Sequence, residues 1–159
     1  MKTNILTVAL FMFITSFAFA QSNKEEIDLI QAEFGMDKKA IVAEFIQLQA
    51  SQKDAFWAIY DEYETKRKEL GKKRIDLLKK YVDNYGSLND ETTDEVIGQM
   101  MSLQSQTDKL IDTYYAKVKK AAGSKVAAQF YQIEGYVLYK IRTIILENIP
   151  LIGELEKKK

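Results

Sequence analysis

The chain has 159 residues, with 23 basic and 23 acidic side chains, one Pro, no His and no Cys. A net charge of zero points to neither nucleic acid nor an anionic membrane as partner. The missing His and Cys remove the usual general base, the usual thiol nucleophile and the usual ligands for zinc, copper or nickel.

Residues 1–20 carry one charge, Lys2, followed by an apolar and small-residue run from Ile5 to Phe19 that closes on Ala18-Phe19-Ala20. This is the pattern of an export signal with an A-x-A cleavage site. The run of about 15 residues falls short of the roughly 20 that span a bilayer. Cleavage is expected after Ala20. Gln21 follows, and no Cys is present to carry a lipid, so the mature protein is expected to be free in solution, neither lipoprotein nor membrane-inserted. Cleavage removes Lys2 and no acid, so 22 basic and 23 acidic residues remain. The expected organisation is a signal peptide over 1–20, one helical domain over 21–153, and a charged flexible tail over 154–159.

Through nearly all of the mature sequence apolar residues recur at spacings of three and four, which is a helical period. The first segment aligns Ile27, Ile30, Phe34, Ile41, Phe45 and Leu48, divided at Gly35-Met36-Asp37, where Asp37 is placed to cap a short second helix. The second begins at Ser51, with Asp54 three residues on as in a capping box, and runs to about Tyr85. At 1.5 Å per residue it is roughly 50 Å long, so part of it is expected to project from a compact bundle or to support a partner. Gly86-Ser87-Leu88-Asn89 reads as a turn. The third helix aligns Ile97, Met100, Gln104, Thr107, Ile111, Tyr114 and Val118, and Gly123 ends it. Ser124 then starts a fourth, with Val126, Phe130, Ile133, Val137, Ile141 and Ile144 on one row and Tyr131, Leu138 and Ile145 on a second. Apolar residues cover so much of its circumference that it is expected to be central or to face a second copy. The fold class is all-α, with four main helices and a long second one, and a homodimer is expected.

Chemistry is sparse. Asp61, Glu62 and Glu64 stand among Lys and Arg and read as a solvated helix face. Glu134, on the most apolar helix, is expected to be ion-paired with a basic residue. Met36, Met100 and Met101 stand at core-like helical positions and read as packing, not as a copper site. No catalytic residue, metal site or cofactor is expected, and no nucleotide-binding glycine pattern is present. Residues 66–80 hold eight basic and two acidic residues. Arg67 and Arg74 share a stripe with Phe56, Tyr60, Tyr63, Leu70, Leu77 and Tyr81. Such a mixed stripe is a poor dry seam and a good amphiphilic surface.

Leu48-Gln49-Ala50-Ser51-Gln52 resembles a degenerate LTxxQ motif, and the stretch from Phe56 and Trp57 through Tyr60 to Tyr63 resembles the FWPIYxEY run that follows it in Spy/CpxP-like exported proteins. The segment from Ala127 through Phe130 to Glu134 resembles the AARFxQLE pattern of that family's second repeat. Gln49 replaces the motif Thr, and Ala122, Gly123 and Val126 replace the Leu, Thr and Gln of the second copy. The resemblance implies a periplasmic helical protein in an elongated hairpin-like or cradle arrangement, often an antiparallel homodimer, acting as an ATP-independent chaperone or as a modulator of envelope-stress signalling. It marks Leu48, Gln52, Phe56, Trp57, Tyr60, Tyr63, Phe130 and Glu134 as motif residues. Two functions stay open. One is a holdase that takes unfolded or partly folded envelope proteins on the face of Tyr60, Tyr63, Arg67, Leu70, Arg74, Leu77 and Tyr81. The other is a signalling protein that docks a membrane-bound stress sensor or anti-sigma factor.

Overall fold

The computed structural model describes residues 26–152, except 27 and 31. The expected leader, Ile27 and the 154–159 tail lie outside the described residues. Among the described residues every regular element is helical: α1 (26–34), α2 (Lys38–Phe45), α3 (Lys53–Asp83) and α4 (Asp90–Asn148), with single 3₁₀ turns at Ala50–Gln52 and Tyr85–Ser87. None of these helices is long and apolar enough to cross a membrane.

Local sequence explains the breaks. Gly35 takes φ +70° between α1 and α2, a left-handed conformation that favours glycine. Asp37 then caps α2 by accepting a hydrogen bond from the Ala40 amide at 2.8 Å. At the start of α3 the capping box is made by Gln49 and Gln52, not by Ser51 and Asp54 as expected; Ser51 sits inside the 3₁₀ turn. Asn89 caps α4 reciprocally with Thr92.

Gly123 divides α4 into two arms. Its φ of +87° and ψ of 169° lie outside helical space, in a region reached almost only by glycine. The Tyr115 and Tyr131 rings are 6.2 Å apart, and Arg142 hydrogen-bonds Gln104. Along one straight helix those pairs would be separated by about 24 and 57 Å. The arms therefore lie side by side, running in opposite directions. The helix α3 packs against both: Lys117 binds Glu62 and Lys80 binds Glu95 along the first arm, while Tyr63 meets Phe130 on the second.

Contacts run the whole length of α3, from the Gln52 Nε2 bond to Ala122 O at one end to the Tyr81 bond to Pro150 O at the other. The expected projection of α3 is therefore corrected. A helix of 31 residues is about 46 Å long, and two arms of comparable length cover it. Gln52 also supplies a partner for a carbonyl that the end of the first arm leaves without an intrahelical donor.

The main core lies where Phe56, Tyr60 and Tyr63 of α3 meet Tyr114 and Val118 of the first arm and Val126, Phe130 and Val137 of the second, with Val42 of α2 closing it. A second cluster joins Leu77 and Tyr81 to Val96 and Leu103. The register differs from expectation at two places. Val42 and Ile46 face inward in place of Phe45, and Val96 and Leu103 in place of Ile97 and Gln104. The expected sets alternate by three and four, a period of 3.5 that drifts round a helix of 3.6 residues per turn, whereas the buried sets include consecutive steps of four, as in Lys38-Val42-Ile46 and Leu103-Thr107-Ile111. Met101, expected to pack, is exposed.

Candidate functional site

The stripe expected to form an exposed binding face is interior. Tyr60, Tyr63, Arg67, Leu77 and Tyr81 are buried, Arg67 at 3% exposure, and Leu70 and Arg74 are half-buried. The spacing of the stripe is that of a seam between helices, and the two arginines stand inside that seam. The motif-like residues gather near the Gly123 end of the same core: Phe56, Tyr60, Tyr63, Phe130 and Glu134 are buried, while Leu48 and Trp57 pack against them.

Glu134 is fully buried, and its expected basic partner is Lys38 of α2. Lys38 Nζ lies 2.7 and 2.8 Å from the two Glu134 oxygens, 2.9 Å from Glu64 Oε2 and 3.2 Å from the Tyr60 hydroxyl. The Tyr63 hydroxyl donates to Glu134 at 2.6 Å. Arg67 grips Glu64 with Nε and Nη2, at 2.8 and 2.9 Å, and gives Nη1 to Glu26 of α1. Glu64 is thus no member of a solvated face, unlike its exposed neighbours Asp61 and Glu62. Burial pushes its carboxyl up from 4.5, but Lys38 and Arg67 outweigh burial and hold it at about 2. Burial, reinforced by Glu134, raises the Tyr60 and Tyr63 phenols far above their ordinary 10.0.

This node ties α1 and α2 to the long helices. A buried ion network adds little net stability over an apolar one, but breaking it by removing one partner leaves a buried charge uncompensated. It also explains Gly71 in the middle of α3, where glycine costs about 0.5–1 kcal/mol. The Glu26 carboxylate lies against the α3 backbone there, and a β-carbon at 71 would displace it from its place beside Arg67.

One partly apolar exposed surface lies between the two arms of α4. A groove of about 360 Å³ is lined by Thr107, Ile111 and Asp112 of the first arm and by Tyr131, Leu138 and Tyr139 of the second, with Gly135 between the last three. It runs on past Tyr115 and Ala128. Tyr131 and Tyr139 are 54% and 64% exposed although they flank the half-buried Leu138.

At the far end of the groove stand Gln104 and Arg142. Behind them a narrow cleft is lined by Arg67, Arg74 and Arg142, which are all three arginines of a chain that has twenty lysines. Arg74 Nη2 donates to Gln104 Oε1 at 3.2 Å, and Arg142 Nη2 donates to the same oxygen. Burial, and then the charge of Arg142, push the Arg74 guanidinium below its usual value.

Of these residues, Tyr131 and Leu138 appear in sequence as a second row on the last helix and Gln104 as a stripe member. Gly135, Tyr139 and Arg142 carry no motif. The signal available was that second row, extended one place to Tyr139, which stands two turns after Tyr131. Among the described residues no cluster of acidic side chains is arranged to hold a metal ion. Comparison with known protein families, with curated proteins and with solved structures found no match for this chain.

Proposed function

We propose that the protein is a binding protein that holds unfolded or partly folded polypeptide in the tyrosine-lined groove of α4, as an ATP-independent holdase does. The observation that carries this reading is the exposure of Tyr131 and Tyr139 beside Leu138 along one groove. Tyrosine offers a large apolar contact area with a polar tip and few torsions to freeze, which suits contact with many sequences. The groove is open and mixes aromatic rings with Asp112, Gln104 and Arg142, so it favours weak contact over burial of one defined ligand.

The export-like leader and the resemblance of the Phe56–Tyr63 stretch to Spy/CpxP-like proteins support the same reading, with clients that are envelope proteins met in the periplasm. The homodimer and the cradle-like arrangement belong to this proposal too. Two copies facing each other would present two grooves to one client and raise the effective concentration of the second contact.

The test is light scattering of a chemically denatured client on dilution, with the protein in molar excess. Suppression by the native chain and its loss in Tyr131→Ser/Tyr139→Ser are expected. Both tyrosines are exposed, so the variant keeps the core. Suppression that persists in the variant would place capture on another face. No suppression with several unrelated clients would favour the signalling partner, which a single stoichiometric protein recovered on the native chain would then identify.

A further inference from the structure

The paired arginines behind the groove are not explained by packing. Lysine is the ordinary cation of this chain, yet every arginine has been placed at one cleft. Arginine differs from lysine in presenting a planar fork of donors that matches an oxyanion. Arg67 uses that fork on Glu64 and Glu26. Arg74 and Arg142 do not: among the described residues neither makes an ion pair, and both point an Nη2 at one neutral amide oxygen of Gln104. Arg142 Nε is buried and has no acceptor at all.

The neighbouring carboxylates Asp108 and Glu26 favour the Arg74 cation by their charge, but each accepts its hydrogen bond from another group. Glu26 binds Arg67, and Asp108 accepts the Gln104 amide at 2.7 Å. That second bond fixes the amide, so that its oxygen, and not its nitrogen, faces the guanidinium groups. Arg142 is held further by its approach to the Tyr139 ring, 5.5 Å from its centroid. Two cations converging on one uncharged oxygen, with a spare buried donor, describe a site for an anion.

We propose that Arg74 and Arg142, aligned by Gln104, bind the carboxylate of an aspartate or glutamate side chain on an extended polypeptide lying in the tyrosine groove. The site rests on the groove being a polypeptide-binding surface and names the chemistry it selects. A carboxylate fits better than a phosphate because Asp108 and Asp112 line the same groove, and their field opposes a dianion more than a single charge. Leu138 and Tyr139 then receive the residues flanking the acid. Selection works against basic segments, which meet two arginines, and in favour of segments where acids and apolar residues alternate.

The chain's three arginines allow a direct test by nitrogen-15 labelling of arginine in the full protein, which gives three Nε–H resonances assigned through Arg74→Gln and Arg142→Gln. The probes are a short peptide of alternating Leu and Asp, acetylated and amidated so that only side chains are charged, its Leu/Asn counterpart, and inorganic phosphate, each at matched ionic strength. Saturable shifts at Arg74 and Arg142 with the Asp peptide alone are expected, with Arg67 still. No saturable shift, or equal shifts at all three arginines, overturns the site. Saturation by phosphate and not by the peptide also overturns it and identifies a tetrahedral oxyanion site. Aggregation suppression is read separately. A client captured by native protein whose arginines ignore the Asp peptide removes the arginine site but keeps the groove. Arginines that respond in a protein capturing no client keep the site and remove the holdase. Gln104→Glu gives a second check, since it fills the site from within and is expected to abolish the peptide response.

Discussion

Lys38 and Glu134 meet at 2.7 Å with their side chains out of solvent, although 96 residues separate them in the chain. The pair joins the short helix α2 to the second arm of α4, and Glu64 of α3 completes it. Removing one partner leaves a buried charge alone, which costs about 3–5 kcal/mol, whereas replacing both by apolar groups is often neutral. Lys38→Met is therefore expected to lower the melting temperature by about 10 °C, at roughly 2–4 °C per kcal/mol for a chain of this size. Lys38→Met/Glu134→Leu is expected to recover most of that loss. Thermal unfolding of the two variants checks it, and a double variant no more stable than the single one would show that the pair contributes more than register.

Glu64 gives this fold an acid limit. Its folded value of about 2 lies below the ordinary 4.5, so the unfolded chain binds a proton more readily. Its contribution is complete above pH 4.5 and is lost as pH falls from 4.5 towards 2. The contribution is at most about 3 kcal/mol. Urea midpoints across that window are expected to fall with pH, and less steeply in Glu64→Gln. Equal slopes in the two proteins would remove Glu64 as the responsible group.

An alkaline limit follows from Tyr60 and Tyr63. Burial and Glu134 raise both phenols far above 10.0, so the folded chain holds their protons after the unfolded chain has released them. Stability is intact below pH 10 and falls above it by about 1.4 kcal/mol per unit for each tyrosine. Tyrosinate absorbance and helical circular dichroism recorded together are expected to show at least two of the nine tyrosines ionising only as helicity is lost. Smooth ionisation of all nine with helicity intact would contradict their burial.

The all-helical class, the break at Gly35-Met36-Asp37 and the end of a helix at Gly123 were legible because each rests on local chemistry: period, cap and glycine. The side of α3 that faces inward was not. Phe56, Tyr60, Tyr63, Arg67, Leu70, Arg74, Leu77 and Tyr81 stand at seam spacing, and the two arginines made that seam look like a surface. What reversed it was Glu26 and Glu64 reaching Arg67, one of them from α1, 41 residues away. Sequence spacing within one helix holds no record of such a partner. The groove was hidden for a similar reason. Tyr131 and Leu138 join Ile111 and Gln104 only after Gly123 has folded the arms together.

The fold-back itself depends on one residue. A β-carbon at Gly123 would meet nothing within 4 Å, so any effect of Gly123→Ala is conformational. At φ +87° and ψ 169° a side chain costs on the order of 1–3 kcal/mol. Gly35, at φ +70°, also has open space around it, and Gly35→Ala is expected to cost about 1–2 kcal/mol, the left-handed penalty of a β-carbon. Urea denaturation is expected to rank Gly123→Ala below Gly35→Ala. The reverse order would mean that the hinge between α1 and α2 bears more strain than the turn between the arms.

Gln104→Glu distinguishes a ligand site from a packing accident. In the native chain Arg74 and Arg142 share one neutral oxygen, and the charge of Arg142 acts against Arg74. A carboxylate at 104 gives both a charged partner of nearly the same shape, worth about 1.5–3 kcal/mol for hydrogen bonds to charged groups. Against that stands the loss of the amide bond to Asp108 and the repulsion of two carboxylates one turn apart, together about 1 kcal/mol. The balance is a gain on the order of 1 kcal/mol, seen as a melting temperature a few degrees higher. A chain built only for stability would already carry glutamate there, so a more stable variant that no longer answers the acidic peptide would indicate that the neutral glutamine keeps the two arginines available. A less stable variant would mean that Asp108, and not a missing anion, governs the charge balance of the cleft.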